Sequence, residues 1–197
     1  MSNILYLSAS IRDDDSVSRE LGNKLVETLA AKNNADVTRR DLSTNDLPYL
    51  THEQHMANLT PASERTPEQA ELAKIGDELI AELQAADTIV ISAPIYNFSV
   101  PATVKSWADL VARAGTTFKY TENGPEGLLT DKKAYITVAS GGVPVGSDAD
   151  MMTKWLKFFL GFLGIETVQV IAADGIMGVN ADEKIAAAKA EINKLAA

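Results

Sequence analysis

The chain has 197 residues, 46% of them apolar and 23% charged, which suits one globular domain over residues 1–197 with a full-sized core. A net charge of −9 argues against nucleic acid and anionic membranes as partners, because both need a cationic face. The lack of cysteine excludes disulfides, zinc-thiolate sites, iron–sulfur clusters and thiol catalysis, so any redox role needs a borrowed cofactor.

Met1-Ser2-Asn3 runs directly into the short apolar stretch 4–8, without the basic segment and long apolar region of a signal peptide, so a cytoplasmic protein is expected. Residues 4–8 read as a strand, and Leu21, Leu25, Val26 and Leu29 fall at helical spacing within 16–32. The polar run 36–42 suits an edge strand. Residues 45–63 have no sustained period and read as a long connector bordering the functional site as a flap. The connector holds His52 and His55, whose H-E-x-H spacing misses that of a zinc peptidase by one residue, and no metal site is expected. Thr66, Pro67 and Gln69 supply a cap, a first-turn proline and a capping-box partner for a helix running to about residue 86.

The near-continuous β-branched run 87–93 suits a central strand covered on both faces. A helical pattern follows at 100–114, then a Gly/Pro-interrupted excursion at 115–130, a buried-type strand at 133–139, and an aromatic-rich helix at 151–163. A last strand at 167–173 precedes a helix opened by Asn180 and Glu183 at capping-box spacing. Strands alternating with helices imply a parallel sheet sandwiched between helical layers, most often in the order 2-1-3-4-5. Ligands then sit beyond the carboxyl ends of the strands, which directs attention to residues 9–18, 94–101 and 140–150.

The first of these segments carries Ser10, Ser16 and Ser18, and with Ser8 it leads four hydroxyls into a helix N-terminus, an arrangement suited to a phosphate monoester. Ser16 or Asp15 could serve simply as a helix cap, and Asp13 to Asp15 must face solvent if a phosphate is to bind beside them. No G-x-G-x-x-G and no G-x-x-x-x-G-K-[ST] is present, which argues against dinucleotide and nucleotide triphosphate folds. After the third strand, Ile95, Tyr96, Asn97 and Phe98 place an aliphatic, two aromatics and an amide where a planar ligand would lie. Ala139, Ser140, Gly141 and Gly142 follow the fourth strand, and paired glycines there either admit a flat ligand or make a turn. Together the three segments suit flavin mononucleotide (FMN).

The serine loop, the segment 93–98, the long stretch DLVARAGTTFKYTENGPEGL at 109–128 and FLGFLGI at 159–165 resemble the FMN-dependent NADH:quinone oxidoreductases called azoreductases, of the flavodoxin-like superfamily. The resemblance spans nearly the whole chain. It implies a flavodoxin-like three-layer sandwich in which Ser10, Ser16, Val17 and Ser18 hold the phosphate, Ile95 to Phe98 line the ring system, and Ala139 to Gly142 approach its pyrimidine side. It also implies NADH or NADPH as donor, quinones and aromatic azo compounds as acceptors, and an acceptor pocket walled by Tyr120 and by Phe162, the latter from a partner subunit. Ser140 and Asp13 to Asp15 depart from some relatives, which carry an arginine and a Gly/Tyr-bearing loop there.

A homodimer is expected from the residues too. Trp155, Phe158, Phe159 and Phe162 form one apolar stripe of the 151–163 helix, and Leu156, Leu160 and Leu163 form another, whereas covering a sheet takes one. Arg113 and Lys119 could help hold a reactant's negative charge, but are read first as surface charges on a helix end. A flavodoxin-type electron carrier and a cofactor-free interaction domain remain as alternatives on the same scaffold.

Overall fold

The computed structural model describes residues 2–44 and 47–196. Five strands, β1 (Asn3–Ser8), β2 (Asp36–Asp41), β3 (Thr88–Pro94), β6 (Lys133–Ala139) and β7 (Thr167–Ala173), pair in parallel in the order β2-β1-β3-β6-β7, the expected doubly wound arrangement. All seven residues of β3 are buried, as befits its central place, whereas in β2, at the edge, none is buried. Between β3 and β6 the 115–130 excursion folds as an antiparallel hairpin, β4 (Phe118–Thr121) and β5 (Gly124–Gly127), outside the main sheet.

Strand alternation sorts the core into two layers. Leu5, Leu7, Ile89, Ile91, Ile136 and Val138 face α3 (Pro67–Ala85), α4 (Ala102–Val111) and α5 (Met151–Phe162). Ile4, Tyr6, Val90 and Ile171 face α1 (Val17–Asn33) and α6 (Ala181–Lys194). The Thr66–Gln69 capping box of α3 is formed in both directions. Asn180, by contrast, makes no side-chain cap, so α6 starts without the expected box.

Two further departures concern the connector and its neighbours. Residues 52–59 form a helix, α2 (His52–Leu59), followed by a 3-10 turn at Ala62–Glu64; Asn45 and Asp46 of the expected connector lie outside the described residues. Eight residues are too few for a helix to hold itself, and α2 is held by polar latches: Gln54 Nε2 donates to the Leu72 carbonyl of α3 at 2.5 Å, and Arg113 donates to Asn58 Oδ1 at 3.1 Å. Arg113 is therefore not a surface charge. Its side chain is 10% exposed, and it shares Asp77 with Arg65, which is buried to a similar degree. Burial alone would raise the Asp77 carboxyl, but the two guanidiniums hold it below the usual carboxylate range. Lys119 pairs across the hairpin with Glu126 at 3.0 Å.

One glycine fixes how closely α1 lies on the sheet. A Cβ at Gly22 would meet the Tyr6 hydroxyl at 2.6 Å and Ser92 Cβ at 2.7 Å, directly over the 3.0 Å hydrogen bond between those two side chains. In an exposed helix Gly→Ala stabilises by about 1 kcal/mol, but overpacking costs about 1–3 kcal/mol. We expect Gly22→Ala to lower the urea unfolding free energy by up to about 2 kcal/mol; higher stability would mean that α1 is free to lift off the sheet.

Candidate functional site

Because the strands are parallel and in register, Ser8, Asp41, Pro94, Ala139 and Ala173 all end at one edge. The order in which strands are added across the sheet reverses between β1 and β3 there, and a cleft of about 280 Å³ opens at that point. Ser10, Ser16, Val17 and Ser18 line one end; Ile95, Tyr96, Ala139 and Gly141 line the other, with Pro94. A larger, polar hollow of about 1110 Å³ lies at the opposite edge, around Asp87, Lys132 and Gly164. It opens where the strands begin, and its hydroxyls are scattered among charged side chains such as Asp87, Glu126 and Lys132 with no aromatic or large aliphatic residue beside them, so the smaller cleft is the better ligand site.

The hydroxyl end is shaped by α1. Ser16 is the helix cap, its Oγ accepting from Arg19 N at 3.4 Å, and it also lies 3.3 Å from Ser18 Oγ, both serines being buried. The N–H groups of Val17 and Ser18 open the helix with no carbonyl behind them, so capping and anion binding are compatible here. Ser10 Oγ accepts from Arg12 N at 3.1 Å. Asp13 and Asp14 are exposed and lie off the cleft, as a phosphate site beside them requires, whereas Asp15, exposed too, lines it, contrary to expectation.

Arg19 keeps this loop in shape. Its guanidinium donates to the carbonyls of Ser10 at 2.6 Å and Arg12 at 3.0 Å, to the hydroxyls of Ser8 at 3.1 Å and Ser43 at 2.7 Å, and to both oxygens of Asp41. Burial alone would raise the Asp41 carboxyl; Arg19 and the Ser43 N–H and hydroxyl hold it below its ordinary range, so the clamp stays charged. Tyr96 joins the first loop to the third, its hydroxyl accepting from Ile11 N at 3.3 Å and lying 3.5 Å from Ser10 Oγ.

Asn97 and Phe98 are at the rim rather than in the cleft. They are the central pair of a tight turn closed by reciprocal Tyr96–Ser99 backbone bonds of 3.1 and 3.0 Å, with φ of 48° and 70°. Asparagine tolerates that conformation, whereas phenylalanine rarely adopts it, and the Phe98 side chain is left 57% exposed. Ser140 and Gly142 also stand back from the cleft. The Ser140 hydroxyl accepts from Val143 N at 2.9 Å and closes a turn, and nothing lies near a Cβ built at Gly142. Gly141 lets a neighbour approach, but that neighbour is Met177, whose Sδ would lie 2.9 Å from an added Cβ.

Ile176 and Met177 are cleft residues that the sequence reading missed, as are Arg12 and Asp15. Their loop follows β7, whose carboxyl end lies on the same rim, and it interlocks with the paired glycines: Ile176 N donates to Ser140 O at 3.0 Å and Met177 N to Gly141 O at 3.1 Å. The rule that ligands sit at strand ends could have found it, had the fifth strand been followed as the other three were.

Tyr120 and Phe162 are not at this cleft. α5 starts at the rim, where Met151 N donates to Phe98 O at 3.0 Å, and its 12 residues carry Phe162 about 16 Å away, toward the edge where β7 begins. There Phe118 packs 4.5 Å from Phe162 and 5.3 Å from Tyr120, ring centre to ring centre.

The cleft fits FMN. Its hydroxyls and free helix N–H groups match a phosphate, and Ile95, Tyr96, Ile176 and Met177 offer the apolar surface a planar ring needs.

A family model describing a flavodoxin-like fold matches residues 2–196. An FMN-dependent NADH:quinone oxidoreductase of Erythrobacter litoralis is 63% identical over the full length of both chains. Among solved structures, an azoreductase from Bacillus anthracis superposes with a TM-score of 0.91 at 29% identity, covering 100% of this chain and 99% of its own. An FMN-dependent NADH-azoreductase of that species, solved in complex with FMN, gives 0.89 at 28% identity, covering 100% and 98%. With identity this high across its whole length, the chain belongs to the flavodoxin-like family of FMN-dependent NADH:quinone oxidoreductases.

Proposed function

We propose that the protein is an FMN-dependent reductase that passes electrons from NADH or NADPH to quinones and aromatic azo compounds. The observation that carries this reading is the cleft at the β1/β3 reversal, hydroxyl-lined at a helix N-terminus and apolar beyond it, in a chain 63% identical to a named quinone oxidoreductase. When bound, FMN supplies a ring able to take a hydride from the nicotinamide and deliver it to the acceptor. The chain itself binds and orients. Ser10, Ser16 and Ser18 with the N–H groups of Val17 and Ser18 hold the phosphate, Ile95 and Tyr96 hold one side of the ring, and Ala139 and Gly141 with Ile176 and Met177 enclose another, Ser140 and Gly142 shaping the turn behind them.

Asn97 and Phe98 belong to this machinery at its rim. A phenylalanine held at positive φ and left largely exposed has no packing reason to be there, and strain of this kind collects at functional sites.

We also infer one domain over residues 1–197, a cytoplasmic location where NAD(P)H is supplied, and a homodimer. Leu156, Leu160 and Leu163 are buried against the sheet, whereas Met151 and Phe158 of the same helix are exposed and Trp155 and Phe162 are half-buried. Phe158 and Tyr120, each 77% exposed, extend this apolar surface from helix to hairpin, which suits burial against a second copy. Since Tyr120 and Phe162 are remote from the cleft of their own chain, they would wall the acceptor pocket of that copy. An electron carrier has no need of such a wall, which favours the enzyme. Among the described residues no helix is long and apolar enough to cross a membrane.

Donor and acceptor must use one mouth in turn. We therefore expect ping-pong kinetics: double-reciprocal plots of NADH oxidation at several quinone concentrations should be parallel, and intersecting lines would contradict a shared site. Replacing Phe98 tests the rim. Phe98→Ala and Phe98→Gly should both raise the FMN dissociation constant by about three- to tenfold, with the glycine variant more stable than the alanine one because it relieves the left-handed backbone. Unchanged flavin affinity in both would remove Phe98 from the site.

A further inference from the structure

Among the described residues lining the cleft, Arg12 is the one cation, and its side chain is not used by the fold. Its Nε donates to Asp15 Oδ2 at 3.0 Å, and a terminal nitrogen contacts the same oxygen. Asp15 lines the same cleft, and the two side chains are 61% and 65% exposed. A pair so open to water is weakly held, and exchanging one partner for another costs little. The Arg12 backbone, in contrast, is fixed at both ends, its N–H donating to Ser10 Oγ and its carbonyl accepting from Arg19 Nε. The residue thus combines an anchored main chain with a side chain free to swing.

The charge around it is unfavourable for the ligand the site suits. With Asp13 and Asp14 the run 12–15 holds one arginine and three aspartates, a net charge of −2. The bond from Arg12 keeps the Asp15 carboxyl below its usual range, so it stays ionised. A phosphate dianion placed at Ser10, Ser16 and Ser18 is repelled by Asp15 and attracted by Arg12, and a guanidinium fork satisfies a phosphate at two oxygens.

Resting on the FMN reading, we propose that Arg12 and Asp15 form a charge switch on the phosphate end of the cleft: Arg12 leaves Asp15 to bind the phosphate monoester, and Asp15 competes for Arg12 and thereby weakens binding. The two partners then act with opposite sign. Removing the arginine weakens binding and removing the aspartate charge strengthens it, whereas a pair that merely braced the loop would give the same sign for both.

The test is a fluorescence titration of flavin-free protein with FMN and with riboflavin, which lacks the phosphate, for the unaltered chain, Arg12→Gln and Asp15→Asn. We expect the FMN dissociation constant to rise about three- to tenfold in Arg12→Gln and to fall about two- to fivefold in Asp15→Asn, with riboflavin affinity unchanged throughout. Weakening of FMN in both variants, or equal shifts for riboflavin, overturns the switch. FMN-saturated protein also serves as a control on the donor, whose pyrophosphate has related chemistry. A raised KM for NADH in Arg12→Gln with FMN affinity unmoved would assign the arginine to the donor and overturn the proposal. If the unaltered chain bound neither flavin, the cofactor reading would fall and the switch with it.

Discussion

Arg19 draws the hydroxyl-lined end of the cleft together. Its side chain leaves the first turn of α1 and takes up the carbonyls of residues 10 and 12, the end of β1 at Ser8 and the end of β2 at Asp41. Carbonyls turned toward a buried cation are turned away from the ligand, and the main-chain N–H groups and hydroxyls are left to face it. The short reach of this clamp depends on α1 lying close to the sheet, which Gly22 allows by leaving room for the Tyr6–Ser92 hydrogen bond beneath it. Packing within the core and ligand geometry at the rim are therefore one structural problem in this protein.

The two faces of the sheet serve different ends. On one, α1 and α6 cover the sheet, and the start of α1 shapes the hydroxyl-lined end of the cleft. On the other, α3, α4 and α5 bury the larger core, and α5 has apolar surface left over beyond the Met152, Leu156, Phe159 and Leu160 it buries. That surplus runs from Met151 at the rim to Phe162 at the far edge, so a second copy seated on it could join one chain's cleft to the other's aromatic hairpin.

Much of this was legible in the residues. The apolar runs at 88–94, 133–139 and 167–173 have no competing helical period, and the Thr66–Gln69 box is a local signal that the structure realises as written. What escaped is what depends on distant partners. α2 is short, and it exists because Gln54 reaches Leu72 and Arg113 reaches Asn58, pairs separated by 18 and 55 residues. The burial of Arg113 follows from Asp77, 36 residues earlier, and no local pattern reveals it. The hairpin at 118–127 did carry an Asn123-Gly124 signal, but its strands are four residues each and contain Pro125, too little for alternation to register. At the site, the residues facing the cleft were readable from strand ends, whereas the withdrawal of Asn97, Phe98, Ser140 and Gly142 depends on turn geometry that composition does not encode.

The central claim is that loops after β1, β3, β6 and β7 meet to cradle one flavin with its phosphate against the start of α1. The most direct measurement is diffraction from crystals of the protein grown with FMN. The account predicts density for the phosphate within hydrogen-bonding distance of Ser16 to Ser18, about 2.7–3.2 Å, and for the ring between Ile95–Tyr96 and Gly141. A flavin seated instead in the polar hollow at the opposite edge, or with its phosphate turned away from α1, would contradict it.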